Sequence, residues 1–172
     1  MSDRDAAFAE YFAARSEAMR GTAYLLCGDW HRAEDLVQAT FAKLYVAWRR
    51  INRHEALDAY TRQTLVRTFV SDLRRGWFRK ERVSETTADV AAVSRGSAED
   101  RLVLLAALAK VPPRQRAVLV LRYWEDLSVE ETARALSCSE GTVKSQAARG
   151  LQTLRGLITP QQGEKVRWTS AS

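Results

Sequence analysis

The stretch from Ser128 to Leu157 constrains this chain more than any other, because it specifies two helices and a tight turn within thirty residues. Ser128 is placed to cap a helix, and Glu131 stands three residues on. At that spacing serine and glutamate satisfy each other's backbone amides in a capping box. The first helix carries Val129, Ala133 and Leu136 along one side and stops near Ser137 and Cys138. Ser139 is a second N-cap. The helix it opens sets Val143, Ala147, Leu151, Leu154 and Ile158 on its apolar side, at steps that follow a 3.6-residue period. Its other side carries Lys144, Ser145, Ala148, Arg149 and Gln152.

A short capped helix followed by a helix that is basic near its N-terminus is the pattern of a helix-turn-helix. A major groove accepts such a second helix, and its first two turns reach base edges. Lys144 and Arg149 suit phosphate or the guanine edge, Ser145 can donate to either, and Ala148 leaves room for close approach. The alternative is an ordinary helical hairpin with a solvated basic face.

Composition narrows the partner. The chain has 172 residues, 46% hydrophobic and 28% charged, which suits a folded soluble protein of one domain or two small ones. A net charge of +6 and a pI near 9.7 point to an anionic partner. Cys27 and Cys138 are the only cysteines, so no disulfide framework is expected and a reducing cytosol fits. His31 and His54 do not stand near them at metal-ligand spacing, and no cofactor or metal is expected. The longest apolar run, Leu102 to Ala109, is too short to span a bilayer. The N-terminus shows no signal-peptide pattern, so a cytoplasmic location without membrane insertion is expected.

Charge also divides the chain. Residues 1–80 carry net +4 and residues 101–158 carry net +4, whereas residues 81–100 between them carry net −3. The acidic stretch has no aromatic residue and no apolar period, and residues 82–97 read as a flexible linker. The expected fold class is therefore all-α: two small helical domains joined by a flexible linker, with the helix-turn-helix in the second. Expected boundaries are 1–81, 98–158 and a polar tail from 159 to 172.

The first domain reads as three helices. The first starts at Asp3 or Asp5, turns Phe8, Phe12, Met19, Thr22, Ala23 and Leu26 inward, and ends at Gly28. The second runs from Trp30 to about Arg50 around Ala33, Leu36, Val37, Phe41, Leu44, Tyr45 and Trp48. Asp35 and Gln38 stand near its N-terminal end, where an acidic side chain suits the helix dipole. The third is expected over residues 55–79, with Leu57, Tyr60, Thr64, Leu65, Thr68, Phe69, Leu73 and Trp77 inward. Arg62, Arg67, Arg74 and Arg75 crowd this helix, with Trp77 and Phe78 among the bases. Cations interleaved with aromatics suit unpaired nucleic acid, although a basic helix end is also favoured by the dipole. In the second domain Leu102, Leu105, Ala106, Leu108 and Ala109 form an apolar helix, and Pro113 opens the next one.

These residues together carry a resemblance. Ala33-Glu34-Asp35-Leu36-Val37-Gln38 in a long helix, a basic third helix, a linker, and Pro-Pro-Arg-Gln-Arg with Leu-Arg-Tyr-Trp before the helix-turn-helix occur here in a family's order. Over about residues 5–158 the chain resembles the extracytoplasmic-function (group 4) sigma factors of the bacterial sigma-70 family, close to the actinobacterial type. The resemblance implies an initiation subunit of RNA polymerase that recognises promoters and assists their opening, without being an enzyme. It implies that Asp35 and Gln38 dock on the clamp helices of core polymerase and that the second domain meets the flap. It implies that Arg62, Arg67, Arg74, Arg75 and Trp77 lie where the −10 element is read, and that Lys144, Ser145, Ala148 and Arg149 read the −35 element. Promoter DNA, core RNA polymerase and an anti-sigma factor are the implied partners. Arg67 stands where the family often has asparagine, and Ala39 follows Gln38 where a glutamate is common.

The tether is long enough for such a task. About 17 extended residues reach ~60 Å, the length of ~17 base pairs of duplex at ~3.4 Å each. Two modules on one tether then gain from effective concentration. Two other readings compete: a dimeric helix-turn-helix regulator independent of polymerase, and a helical adaptor that binds only proteins. No nucleophile–base pair, phosphate loop or metal cluster points to an enzyme.

Overall fold

In the computed structural model the described residues are 2–51, 54–75 and 98–158. Every regular element among them is helical. Helix α1 (Asp3–Cys27) begins at a capping box in which Ser2 and Asp5 satisfy each other's backbone amides, both at 3.3 Å. It ends at Gly28, whose φ of 71° lies in the left-handed region, and the Gly28 N–H donates to Tyr24 O at 2.8 Å. Helix α2 (Trp30–Ala47) is capped by Asp29, whose carboxylate accepts from the Arg32 N–H at 3.1 Å. It buries Ala33, Leu36, Val37, Thr40, Phe41 and Leu44, a stripe of helical spacing. A 3₁₀ turn over Trp48–Arg50 continues it. Another over His54–Ala56 leads into α3 (Leu57–Arg74).

The N-terminal half of α1 and the C-terminal end of α2 meet in an aromatic cluster. Phe8 sets its ring edge-on to Tyr45 at 5.0 Å and to Trp48 at 5.2 Å between centroids, and Phe12 meets Phe41 at 4.8 Å. The Tyr11 hydroxyl ties this cluster to α3, donating to Asp58 at 2.9 Å and lying 2.9 Å from Thr61 Oγ1. Burial pushes this phenol up to about 12.

The second half comprises α4 (Ala98–Lys110), α5 (Pro113–Leu119), α6 (Val129–Leu136) and α7 (Glu140–Leu157). Pro113 at the first helical position starts α5, as its fixed φ favours. The helix then widens into a π turn over Val120–Trp124. The loop after it puts Asp126 at φ 57°. Ser128 and Glu131 form the expected capping box, with the Glu131 carboxylate accepting from the Ser128 N–H at 2.7 Å. Those bonds hold its carboxyl below the usual range. Ser137, at φ 54°, makes the turn, and Ser139 caps α7 by accepting from the Thr142 N–H at 3.1 Å.

The two halves pack against each other and share one core. Met19, Leu25, Leu26, Leu36, Leu44, Leu65 and Phe69 of the first half are continuous with Leu105, Leu108, Val111, Leu119 and Leu154 of the second. Val66 of α3 packs with Leu121 and Ala135. Several expected inward residues nevertheless face out. Phe12, Tyr45, Tyr60, Leu102 and Ala106 are exposed, while Thr61, Val66 and Ala107, which were not expected inward, are buried. The third helix is assigned only to Arg74, and residues 76–97 and 159–172 lie outside the described residues, so the expected linker, tail and Trp77 do too.

Candidate nucleic-acid interface

Helix α7 is seated by its inner side. Val143 and Leu154 are buried, and Gly150 lies against α5, where an added Cβ would stand 3.0 Å from Leu119 Cδ1 and 3.4 Å from Gln115 Cβ. That close approach fixes the rotation of the helix. Lys144, Ser145, Ala148 and Arg149 are then all exposed. At ~100° per residue they span an arc of about 140°, opposite the buried side. Ser145 Oγ donates to Thr142 O at 3.1 Å, so the free role of its hydroxyl is to accept. The N-terminal turn adds the positive end of the helix dipole, which favours phosphate. Gly141 and Gln152 fall in the middle of the same arc and are exposed. Gly141 opens the face to close approach, which periodicity alone did not single out, and Gln152 adds an amide suited to adenine.

The cations of α3 do not form one surface. Arg67 and Arg74 are exposed and lie within about 20° of each other around the helix, and Arg75 follows at the C-cap. Arg62 points elsewhere. Its Nε stands 2.6 Å from Glu125 Oε2 in the second half, and its side chain is 27% exposed. Asp72 lies among these bases, and burial raises its carboxyl above the ordinary range against the pull of Arg75 and Lys43.

On α2, Asp35 and Gln38 are exposed on the side away from Leu36, Val37 and Thr40. Glu34 beside them pairs with Arg20 at 2.7 Å. Asp35 and Gln38 therefore form a small polar face on the outer side of the helix pair.

Comparison with known proteins gives these faces a context. Residues 12–79 match sigma-70 region 2 and residues 101–154 match sigma-70 region 4. The RNA polymerase sigma-E factor of Streptomyces coelicolor is 37% identical over 153 residues, covering 86% of this chain and 84% of the relative. The chain belongs to the sigma-70 family, among its extracytoplasmic-function sigma factors. A further relative, the ECF RNA polymerase sigma factor SigE of Mycolicibacterium smegmatis, is 33% identical over 84% of this chain and 59% of its own length. The sigma factor RpoE of Bartonella quintana, solved in complex with the anti-sigma factor NepR, has a TM-score of 0.68 at 25% identity, over 87% of this chain and 95% of that one. This overlap extends across both halves of the fold.

As an RNA polymerase sigma factor, the protein directs core polymerase to promoters and assists their opening. The two matched regions coincide with the two halves that carry the exposed basic faces. Among the described residues no helix of this sigma factor is long and apolar enough to cross a membrane.

Proposed function

We propose a division of labour among the faces of this sigma factor. The exposed arc of α7 enters the major groove of the −35 element, with Lys144 and Arg149 on phosphate or guanine, Ser145 accepting, and Ala148 allowing close approach. The outer face of α3, with Arg67, Arg74 and Arg75, binds the unpaired strand of the −10 element together with Trp77, and Arg62 meets the same strand from another side of the helix. Asp35 and Gln38 dock on the clamp helices of core polymerase, and the second half meets the flap. The domains are 1–81 and 98–158, joined by the linker 82–97. The protein contributes no catalytic group, since nucleotide addition belongs to the polymerase, and it works in the cytoplasm, where an anti-sigma factor restrains it.

The observation that carries this reading is the arc on α7: four exposed side chains suited to a groove, on a helix whose rotation is set by the contact of Gly150 with Leu119. Capture of unstacked bases by the first half offsets the few kcal/mol that unpairing costs. The test is run-off transcription with core polymerase and genomic fragments, followed by variants. Arg149→Ala is expected to weaken use of the −35 element by roughly 10- to 100-fold, as loss of a good base contact does, and to leave core binding intact. Asp35→Ala with Gln38→Ala is expected to impair co-purification with core polymerase while sparing the fold. Unchanged promoter use in the first variant, or normal assembly in the second, would count against the assigned faces.

A further inference from the structure

We propose that the cleft between α3 and α6 is a binding site for a small amphipathic carboxylate, a molecule with an apolar body and one acid group. The cleft has a volume of about 350 Å³, within the range of small-molecule sites. At ~30 Å³ for each atom-sized unit, the share of one water in the liquid, it has room for about twelve non-hydrogen atoms. A stable protein partner covers roughly 800 Å² on its own side, so a cleft of this volume seats a side chain or two of such a partner and not the partner itself. The cleft draws one wall from each matched region, and an occupant touches both.

Its inner wall is apolar and held in place by packing. Val66, Leu121 and Ala135 are buried as one cluster, and Leu127 packs against them. Such a wall favours hydrocarbon over water. Ala56 and Ala59 also line the cleft and are exposed, so nothing larger than a methyl group stands at those two positions of its mouth.

The remaining lining supplies donors. Tyr60 and Gln63 stand three residues apart on α3 and share one side of that helix. Among the described residues neither the Tyr60 hydroxyl nor the Gln63 amide has a hydrogen-bond partner. Arg134 lines the cleft from α6. Its contact with Glu130 is 3.7 Å long, between side chains 68% and 69% exposed. An exposed pair of that length holds the guanidinium weakly. A carboxylate takes such a fork with two parallel bonds, and the hydroxyl and the amide are there to add to them. The other charges of the lining are engaged. Arg62 Nε faces Glu125 at 2.6 Å, and the Glu131 carboxylate accepts from the Ser128 N–H at 2.7 Å. Arg134 is therefore the group that selects the charge of the ligand.

The test uses the full-length chain and octanoate, a carboxylate small enough for the cleft, with octanol and octylamine for comparison. Binding is read from the methyl resonances of Val66, Leu121, Leu127 and Ala135 by NMR. Octanoate is expected to shift them saturably with a Kd of about 1–5 mM, the ordinary yield of a ligand of that size. Octanol is expected to bind about fivefold more weakly or worse, because it cannot make the charge-assisted bonds, and octylamine more weakly still. Arg134→Gln is expected to weaken octanoate about five- to tenfold and to remove its advantage over octanol. Ala59→Trp fills the mouth and is expected to abolish the shifts. Both positions are exposed, so unchanged circular dichroism is expected of both variants. Lys110→Gln makes the same charge change at an exposed position outside the lining and is expected to leave the Kd within about twofold. Methyl resonances that do not respond, or octanol or octylamine binding as tightly as octanoate, would overturn the site. So would shifts that grow with protein concentration alone, which give the cleft to a second copy of the chain. A tenfold gain in octanoate affinity on Trp168→Ala would overturn it too, by giving the cleft to the chain's own end.

Discussion

Arg116 shows how much depends on one buried charge. It is 6% exposed, and its guanidinium donates to Leu26 O, Ala109 O and Val111 O at 2.8, 3.0 and 2.9 Å. Burial lowers its pKa to about 10, which still leaves it charged at neutral pH. The three carbonyls are served by two separate guanidinium nitrogens, a spread that a single ammonium does not match, so Arg116→Lys is expected to cost about 2–4 kcal/mol through acceptors left unsatisfied. Urea denaturation followed by circular dichroism checks this, and a loss below about 0.5 kcal/mol would show that water replaces the lost donors. In the sequence Arg116 is indistinguishable from Arg114, which is exposed. The difference arises because residues 116–121 are buried in succession, so the helix is covered on all sides and no stripe marks its phase. The Lys144, Ser145, Ala148 and Arg149 face was legible because α7 has one buried side and its caps are local chemistry. The Arg62–Glu125 pair was not, since nothing local links residues on separate elements of separate halves.

At the scale of elements, what the sequence conveys well is where helices begin and end. Ser128 with Glu131, Ser139, Gly28 and Pro113 act within their own turns, and each stands where a cap or first-turn residue was expected. Faces are conveyed less well when an element is covered from two directions. Val66 of α3 is buried by Leu121 and Ala135 of the second half, so the buried arc of α3 is wider than its own period suggests. Two of the three glycines of α7 give this a test. Gly156 has nothing within 4 Å of an added Cβ, so Gly156→Ala is expected to stabilise the chain by about 0.5–1 kcal/mol through helix propensity alone. Gly150 meets Leu119 Cδ1 at 3.0 Å, and Leu119 is itself buried. Overpacking there costs about 1–3 kcal/mol, so Gly150→Ala is expected to be destabilising despite the same propensity gain. Thermal melts of the two variants should move in opposite directions. Equal upward shifts would mean that α7 is free to slide on α5, and the fixed orientation of the arc proposed to face DNA would lose its physical basis.

For the whole molecule the decisive fact is that the core does not stop at the boundary between the two matched regions. Leu26 is fully buried in the cluster that α1 shares with Leu105, Leu108 and Leu119 of the second half. A chain built this way unfolds as one unit. Leu26→Ala removes a side chain from that common core and is expected to cost about 2–5 kcal/mol. The loss should appear equally in both halves, as a single melting transition shifted downward when amide hydrogen exchange is followed in α2 and in α7. Loss of protection confined to α2 would mean that the two halves are stabilised separately, and that the apolar surface Leu26 shares with Leu105, Leu108 and Leu119 does not join them.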